Sequence, residues 1–418
     1  MKTIFVYEQW TAGIPVNMGR LYAENLRGKE VCSFEYNRAW LSENAYTCQL
    51  DPDLALFSGR QYVPMSKQLF GLFSDSCPDR WGRLLMRRRE AVLAHRESRK
   101  PRQLTETDYL LGVHDEARIG ALRFSTEEGG PFLSADSEMA APPWLMLRDL
   151  EAASRSFEAD GDALNDRWLK MLLAPGSSLG GARPKATVRA SDGSLWIAKF
   201  PSCRDETDIG AWEKTVHELA RICGLDVPEA RLEHFSETGS TFLVKRFDRK
   251  GDKRIHFASA MALLGKTDGV SAEGAGYLEL VELIKANGSA PREDLAELWK
   301  RILFSMAVSN TDDHLRNHGF LLTPEGWRLS PMFDVNPVPY GDTLSMCVTG
   351  NDARIDLNNA MRAAPFFGLS TAGAKAEAER MLTLIRRDWQ TIASENGLSR
   401  NAIRLMAPAF SLCDERII

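Results

Sequence analysis

Two acidic residues and one amide in the second half of the chain have the types and spacing that phosphoryl transfer requires. Asp312 and Asn317 stand five positions apart within the segment 309–317, and Asp334 ends the segment 330–334. In a D-x-x-x-x-N arrangement the carboxylate can take a proton from an attacking hydroxyl while the amide oxygen binds a magnesium ion. Asp334 would supply a second metal ligand. The pattern predicts a magnesium-dependent site, although Asp and Asn are also common in solvated turns.

The residues around this site predict the elements that position it. Residues 319–322 and 327–329 have the pattern of two short strands about a turn at 323–326, which would bring Asn317 and Asp334 to the same edge. Upstream, apolar residues recur at helical spacing as far as the loop itself, so a helix is expected to present the loop. A rigid helix suits a site that needs close positioning.

The composition limits the class of protein. The chain has 418 residues, 44% of them hydrophobic and 26% charged, with a net charge of -5, so two or three domains and no general affinity for polyanions are expected. Seven scattered cysteines without a C-x-x-C pair argue against a disulfide framework and favour a reducing cytoplasm. No signal-peptide core and no run of eighteen apolar residues occur, so neither export nor a membrane span is expected.

The first part of the chain has the pattern of a small β-rich module that carries a basic helix. Short strands are predicted within residues 1–65, and a helical pattern with nine Arg or Lys and two Glu runs from 80 to 102. The basic stretch has two interpretations: a solvated helix face, or a contact for phosphates or for an acidic partner. Residues 125–143, rich in Glu, Gly, Ser, Ala and Pro, lack periodicity and predict a linker.

A Gly-rich segment at 175–185 precedes a predicted hairpin whose second strand carries Lys199. Glycines allow a backbone to approach an anion closely, but the segment matches neither common nucleotide-binding pattern. Both faces of that strand are apolar, so Lys199 is expected to be partly buried and to need an anionic partner. Phosphate oxygens are one candidate. Glu213 and Glu218 on the predicted helix 206–223 are the others, with Glu213, one turn into the helix, preferred.

Taken in chain order, these parts follow the elements of a protein kinase. A Gly-rich loop, a strand Lys, a helix Glu, strands at 231–235 and 240–249 leading to a hinge, the D-x-x-x-x-N motif and a metal-binding Asp succeed one another. The usual His-Arg-Asp and Asp-Phe-Gly motifs are replaced by other residues at 310–312 and 333–335. With these departures the chain resembles the HipA-like serine/threonine kinases, toxins of bacterial toxin-antitoxin pairs.

The resemblance covers nearly the whole chain, and it depends on several short segments taken together. In the N-terminal module they are Phe34-Glu35-Tyr36 and Pro78-Asp79-Arg80-Trp81-Gly82-Arg83. In the rest of the chain they are Ser178-Leu179-Gly180-Gly181-Ala182-Arg183-Pro184-Lys185, Trp196-Ile197-Ala198-Lys199-Phe200, Leu243-Val244-Lys245-Arg246-Phe247-Asp248-Arg249, Asn310-Thr311-Asp312-Asp313-His314-Leu315-Arg316-Asn317 and Met332-Phe333-Asp334.

The resemblance implies an α+β, two-lobed fold of the protein-kinase type with a small β-rich N-terminal subdomain. Three segments are predicted: 1–125 for that subdomain with its basic helix, 126–250 for the nucleotide-binding lobe, and 251–418 for a helical lobe with the catalytic and metal-binding loops. The implied activity is phosphorylation of a serine or threonine hydroxyl in a protein substrate, with ATP and Mg²⁺ as cofactors, in the cytoplasm.

The resemblance also assigns roles to individual residues. Asp312 is implied as the catalytic base and Asn317 with Asp334 as the magnesium ligands, while Lys199 would hold the α- and β-phosphates of ATP. Ser178 falls where the family carries a serine that can be autophosphorylated, which would put a dianion into the phosphate-binding loop and switch the enzyme off. The residues implied to contact the nucleotide are Ser178, Gly180, Gly181, Lys185, Lys199, Glu213, Val244, Lys245, Phe247 and His314.

Members of that family pair with a small helix-turn-helix DNA-binding antitoxin, so the resemblance implies a HipB-like partner and an indirect connection to DNA. The chain departs from the family at His318-Gly319, where an aromatic residue and a serine are more usual. Two other hypotheses remain open. One is a catalytically silent scaffold or corepressor that binds the antitoxin. The other is a metallohydrolase that uses Asp312, Asp313, His314, His318 and Asp334.

Overall fold

The computed structural model describes residues 1–43, 48–133, 141–159, 166–176, 181–267 and 275–415. The chain divides into two compact units, Met1–Arg204 with Leu243–Ala258 and Asp205–Phe242 with Ser259–Ile418. Each unit therefore consists of two separate segments of chain. The three predicted segments, with boundaries at 125 and 250, are defined by the order of sequence motifs, whereas the two units are defined by compactness. The three segments stay a prediction.

Strands occur in both units, and most of them belong to antiparallel hairpins. Their bounds are β1 Lys2–Glu8, β2 Val16–Leu26, β3 Lys29–Tyr36, β4 Gln61–Tyr62, β5 Leu122–Ser125, β6 Lys185–Arg189, β7 Leu195–Lys199, β8 Ala230–Ser236, β9 Gly239–Lys245, β10 Arg249–Lys250, β11 Lys253–Arg254, β12 Phe257–Ser259, β13 Gly319–Thr323 and β14 Gly326–Leu329.

Helices dominate the second half of the chain. Their bounds are α1 Arg38–Glu43, α2 Gly71–Ser74, α3 Arg80–Arg96, α4 Glu106–Gly112, α5 Leu147–Ala159, α6 Asp166–Gly176, α7 Ile209–Ile222, α8 Ala260–Leu263, α9 Tyr277–Asn287, α10 Pro291–Ala307, α11 Leu357–Ala363, α12 Thr371–Glu395 and α13 Arg400–Met406. Short 3-10 turns lie at Trp144–Met146, Leu315–Asn317, Ala364–Phe367 and Ala407–Asp414.

The N-terminal part of the first unit is an antiparallel sheet of five strands in the order β4-β3-β2-β1-β5. Ile4, Leu21 and Phe34 are register partners on neighbouring strands, and all three side chains are fully buried. A row of apolar partners on one face is what fixes the register of a half-buried sheet. The strands predicted within residues 1–65 are confirmed.

The basic helix α3 packs against α6 in the same unit. The helical pattern expected to reach residue 102 ends at Arg96, because Ser98 adopts a φ of 52° and Pro101 follows closely. Beyond the helix, Arg99 donates to the carboxylate of Glu90 at 2.5 Å. Part of the basic stretch is therefore neutralised inside its own unit.

The hairpin of β6 and β7 also belongs to the first unit, with β9 beside β7 and β8 beside β9 in the strand order. Strand β9 passes from the second unit into the first, since the boundary falls between Phe242 and Leu243. The strand predicted to run through 249 ends at Lys245, and the chain then forms the small hairpin of β10 and β11.

The second unit is built around the buried faces of α7, α10 and α12. Trp212, Val216 and Leu219 on α7 are buried, and this helix packs against α12. At the C-terminal end, the rings of Trp389 and Phe410 stack with centroids 4.3 Å apart. The apolar stripes predicted for α7 and α10 are confirmed, because period-3.6 patterns report directly which face is buried. Within the described residues, no helix combines the length and apolar character needed to cross a membrane.

Candidate active site

The hairpin of β13 and β14 in the second unit connects the two predicted metal ligands. Phe320 pairs with Leu329, and the amide of Ser330 donates to the carbonyl of Gly319 at 2.8 Å. The hydrogen bonds between the two strands therefore extend to within a few residues of Asn317 and Asp334, and the predicted hairpin is present. One small pocket is lined by residues of α10 and of the segments just before β13 and just after β14: Arg301, Ser305, Asp313, Asn317, His318, Met332, Phe333 and Val335.

The loop that carries the predicted base and metal ligand is closed by an internal hydrogen bond. The Nδ2 atom of Asn317 donates to the backbone carbonyl of Asp312 at 3.0 Å. That donation uses the nitrogen of the amide and leaves its oxygen as the atom suited to bind a cation. The side chain of Asp312 is exposed, as a group that must meet an exogenous hydroxyl has to be.

Two residues of this region adopt left-handed backbone conformations. Ser309, just after α10, has a φ of 50°, and Asp334 has a φ of 59°. Such conformations are uncommon for residues other than Gly and are concentrated at functional sites and tight turns. At Ser309 the chain leaves the helix axis, and at Asp334 it turns after β14, so both conformations direct the chain at the edges of the candidate site.

The residue types at 317 and 334 fit a magnesium ion. Amide and carboxylate oxygens are the hard ligands that Mg²⁺ prefers, and the remaining positions are usually filled by water and substrate phosphates. The metallohydrolase hypothesis needs a larger set of protein ligands. Among the residues that the structure describes, no group of three or more His, Cys, Asp or Glu side chains is placed to hold a metal. That hypothesis therefore gains no support.

A buried polar network lies directly behind the loop. The Nε2 atom of His318 lies 2.9 Å from Oδ1 of Asp313, and the hydroxyl of Tyr277 donates to Oδ2 of Asp313 at 2.5 Å. Burial acts to raise the pKa of the Asp313 carboxyl, but His318 and the Tyr277 hydroxyl outweigh it, so the pKa lies below its usual value. Burial and the adjacent Asp313 raise the pKa of Tyr277 well above its usual value.

In the first unit, the predicted phosphate-binding lysines occupy opposite positions on paired strands. Lys185 on β6 and Lys199 on β7 are register partners, so their side chains project from the same face of the hairpin. Lys185 is buried, with 6% of its surface exposed, and Lys199 is half-buried. Two lysines at opposite positions on the same face of a hairpin concentrate positive charge there, which suits the binding of an anion such as a phosphate chain.

The glycine next to these lysines is shaped for close approach. Gly181 has a φ of 87°, and a Cβ added there would lie 2.5 Å from Nζ of Lys185. The lysine ammonium thus lies against the backbone of the Gly-rich segment, an arrangement typical of anion sites. Ser178 and Gly180, the other predicted residues of this segment, lie outside the described residues.

Residues at the start of helix α3 in the N-terminal module bind this glycine segment through hydrogen bonds. The carboxylate of Asp79, the residue that caps α3, accepts from the amide of Gly181 at 2.7 Å. The amide of Trp81 donates to the Gly181 carbonyl at 3.1 Å, and the indole Nε1 of Trp81 donates to the Lys185 carbonyl at 3.1 Å. In the sequence, Asp79 and Trp81 belong only to a segment that carries the family resemblance. No local pattern indicates this supporting role, because the contacts span 100 positions or more.

The predicted hinge lies at the end of β9. Val244 is buried, Lys245 lies with Nζ 5.9 Å from the centroid of the Trp196 ring, and the rings of Phe247 and Phe257 are 6.2 Å apart. All these residues belong to the first unit. The structure therefore places Gly181, Lys185, Lys199, Val244, Lys245 and Phe247 in one unit, and Glu213, Asp312, His314, Asn317 and Asp334 in the other.

Buried charges fix the backbone next to the hinge. The guanidinium of Arg246 donates to both carboxylate oxygens of Asp248, at 2.9 and 2.7 Å, and to the carbonyls of Ala117 and Arg118. Arg249 donates to Asp248 at 2.7 Å. Burial acts to raise the pKa of Asp248, but the two arginines outweigh it and hold the pKa far below its usual value. Asp248 is therefore a permanently charged anchor.

The two glutamates proposed as partners of Lys199 lie in different environments on α7. Glu218 pairs with Lys214 and accepts from Nδ2 of Asn396 at 3.1 Å, so its carboxylate is engaged within the second unit. Glu213 is buried, with 6% of its surface exposed. A buried carboxylate requires a cation or several donors. The pairing of Glu213 with Lys199 stays a prediction.

Comparison with known proteins now identifies the family. The model of the HipA-like C-terminal domain matches residues 177–394, more than half of the 418 residues, and the chain belongs to the HipA-like kinase family. The protein Y4mE of Sinorhizobium fredii is 28% identical over 252 residues, 54% of this chain and 52% of that protein. The serine/threonine-protein kinase toxin HipA of Shewanella oneidensis is 25% identical over 217 residues, 44% of this chain and 49% of that protein.

The fold likeness extends further than the sequence likeness. A chain from the solved complex of Shewanella oneidensis HipA, HipB and operator DNA superposes with a TM-score of 0.67 at 15% identity, over 98% of this chain and 96% of that one. The predicted α+β kinase-like fold with a β-rich N-terminal region is thus confirmed. In sequence, the chain spans about half the length of the curated relatives it matches.

Proposed function

We propose that this protein is a magnesium- and ATP-dependent protein serine/threonine kinase that acts as the toxin of a HipA-type toxin-antitoxin pair in the cytoplasm. The observation that carries the proposal is the closed D-x-x-x-x-N loop, in which Asn317 donates to the Asp312 carbonyl beside the hairpin that leads to Asp334. Membership of the HipA-like family and the facing pair Lys185 and Lys199 support it.

The chemistry assigned to each side chain follows from its charge and exposure. Asp312, an exposed carboxylate, would accept the proton of the substrate hydroxyl as that oxygen attacks the γ-phosphorus. The bond between the γ-phosphorus and the bridging oxygen would break, and ADP would leave. Asn317 and Asp334 would hold Mg²⁺, which neutralises the phosphate oxygens when bound. Lys185 and Lys199 would bind the phosphates, with Glu213 orienting Lys199. Catalysis would come mainly from positioning and charge neutralisation.

The remaining nucleotide contacts and the partners belong to the same proposal. Val244, Lys245 and Phe247 would border the adenine, and His314 would lie near the phosphates. A helix-turn-helix antitoxin resembling HipB would bind the protein and connect it to DNA, while a protein hydroxyl would be the phosphate acceptor. Autophosphorylation of Ser178 would place a dianion in the phosphate-binding loop and oppose ATP binding.

The experiment is intact-mass and phosphopeptide analysis of purified protein after incubation with magnesium and ATP. We expect the wild type to gain phosphate on Ser178 and the Asp312→Ala variant to gain none, because no base remains to accept the hydroxyl proton. Asp252→Ala, which removes an exposed carboxylate between β10 and β11, is the matched control and should behave as the wild type.

The scaffold alternative makes a different prediction for the same proteins. If the wild type gains no phosphate but binds ATP, and an added protein substrate is not phosphorylated either, the silent scaffold or corepressor is favoured. Absence of both transfer and ATP binding would sink the kinase proposal altogether. Retention of full transfer by Asp312→Ala would contradict the assigned base.

A further inference from the structure

The buried pair of Asp313 and His318 occupies a special position relative to the proposed catalytic residues. Asp313 directly follows Asp312, and His318 directly follows Asn317. The carboxylate of Asp313 and Nε2 of His318 lie 2.9 Å apart. The contact between these two side chains therefore joins the two ends of the loop. The proposed base lies at one end and the proposed metal ligand at the other.

The pair is enclosed on all sides that the structure describes. Asp313 has 4% of its surface exposed, His318 has 3%, and Tyr277 is fully buried. The Tyr277 hydroxyl donates to Oδ2 of Asp313, and its ring meets the His318 ring edge-on with centroids 5.6 Å apart. The hydroxyl of Ser305, on α10, lies 3.4 Å from the same oxygen. The Asp313 carboxylate thus has partners on two helices and at the far end of the loop.

The backbone of His318 is fixed as well. Its carbonyl accepts from the amide of Ala260, the first residue of α8, at 2.8 Å. On the other side of the loop, the amide of Asn310 donates to the carbonyl of Ser305 at 2.8 Å. Each end of the loop is therefore tied to a helix through its backbone, and the Asp313 and His318 side chains tie the ends to each other.

We infer that Asp313, His318 and Tyr277 are positioning residues that set the separation and orientation of Asp312 and Asn317. None of the three contacts substrate in this assignment, and the inference rests on the proposed kinase function of the loop. A buried carboxylate held between an imidazole and two hydroxyl donors has few alternative arrangements, because losing any partner leaves a polar group uncompensated. Small displacements of reacting groups reduce rates strongly.

The first test separates positioning from general stability. Asp313→Asn keeps the shape of the side chain but removes its charge, and Tyr277→Phe removes one donor. Asp294→Asn is the matched control, since Asp294 is buried to the same degree on α10 and binds Arg328 and the Leu329 amide instead of the loop. We expect kcat to fall about 10- to 100-fold in both loop variants with KM for ATP little changed. The magnesium concentration for half-maximal rate should rise.

The control should lose thermal stability like the loop variants but keep its kcat within about twofold. Equal losses of kcat in Asp294→Asn and Asp313→Asn would overturn the inference, because a structural role alone would explain them. Should Asp313→Asn fail to fold, Tyr277→Phe, which removes one hydroxyl, provides the same comparison.

A second readout does not depend on catalysis. Hydrogen-deuterium exchange of peptides covering 308–319 reports on the amide of Asn317, which donates to the His314 carbonyl at 2.8 Å. We expect exchange there to be about tenfold faster in Tyr277→Phe and Asp313→Asn than in wild type or Asp294→Asn. Unchanged exchange would overturn the inference even in an active kinase. Faster exchange in variants of a protein that transfers no phosphate would show that Asp313 and Tyr277 hold the loop, while the kinase proposal fails.

Discussion

At the scale of single residues, the candidate site depends on backbone positions as much as on charges. Gly181 illustrates this, because its φ of 87° disfavours a side chain, and an added Cβ would lie 2.5 Å from Nζ of Lys185, which would have to move. Asp334 and Ser309 adopt comparable left-handed conformations with side chains present, and Asp tolerates that region better than most residues. Left-handed conformations therefore occur next to candidate functional groups in both units.

Replacing Gly181 with alanine should weaken nucleotide binding more than it weakens the fold. The new methyl group would meet Nζ of Lys185 and displace the ammonium from the Gly-rich segment. We expect the Kd for ATP to rise about tenfold, the effect of losing one well-placed charged contact. Isothermal titration calorimetry of the purified variant with ATP and magnesium measures it.

The matched control is Gly193→Ala in the turn between β6 and β7. Gly193 has a φ of 83°, close to that of Gly181, but nothing lies within 4 Å of an added Cβ. Both variants carry the same backbone strain, about 1–2 kcal/mol. If the two variants lose ATP affinity equally, strain rather than displacement of Lys185 is responsible.

At the scale of elements, helix α7 contributes to the core of the second unit. It carries the buried Glu213, packs on α12, and places His217 with Nε2 2.7 Å from the Pro228 carbonyl. Burial lowers the pKa of His217 to about 4 from an ordinary value of 6.5. Between the two pKa values, the imidazole is therefore neutral in the folded protein but protonated in the unfolded chain.

This difference makes stability depend on pH in a definite direction. As the pH falls, His217 is protonated in the unfolded chain before it is protonated in the folded protein. The contribution of neutral His217 to the unfolding free energy is therefore fully present above the unfolded pKa of 6.5, and it is lost progressively toward a pH of about 4. Relative to His217→Gln, wild type should lose about 2 kcal/mol of unfolding free energy between about pH 7.5 and about pH 5.

Urea denaturation at the two pH values measures this loss for both proteins, and the difference removes the contribution of other titrating groups. The glutamine keeps a donor for the Pro228 carbonyl, so the comparison isolates protonation. Parallel pH profiles of wild type and variant would show that His217 keeps an ordinary pKa in the folded protein.

Most of the helices and strands could be predicted from the sequence, but the supports of the candidate site could not. Hydrophobic periodicity is local, so it located the hairpin of β13 and β14, the stripes of α7 and α10, and the strand that carries Lys199. The bond from Asp79 to Gly181 joins positions 102 apart, and no local pattern encodes it. Asp313 and His318 are near in sequence, but a pair of polar residues in a loop gives no sign that both will be buried.

At the scale of the whole molecule, buried charges connect distant parts of the first unit. Arg246 and Arg249 bind Asp248 next to the predicted hinge, and Arg254 reaches Asp115 at 3.0 Å, 139 positions away. The amide of Gly120 also donates to Asp248, at 2.8 Å. These contacts join the N-terminal module to the segment that begins at Leu243, so they define the first unit as much as its apolar core does.

Removing the carboxylate at the centre of this network should be costly. Asp248→Ala would leave two arginines buried without their anion, and we expect a loss of about 3–5 kcal/mol of unfolding free energy. Urea denaturation followed by tryptophan fluorescence measures it. Asp252→Ala, four positions away in an exposed turn, should change stability by less than about 0.5 kcal/mol. A similarly small effect at Asp248 would mean that the network contributes little.

The same contacts constrain the order in which the protein matures during translation. Asp115, Arg118 and Gly120 leave the ribosome well before Arg246 and Asp248 are synthesised. Until then, the N-terminal sheet can form, but its buried polar groups lack their partners. The first unit would therefore be completed only after more than half of the chain has been synthesised.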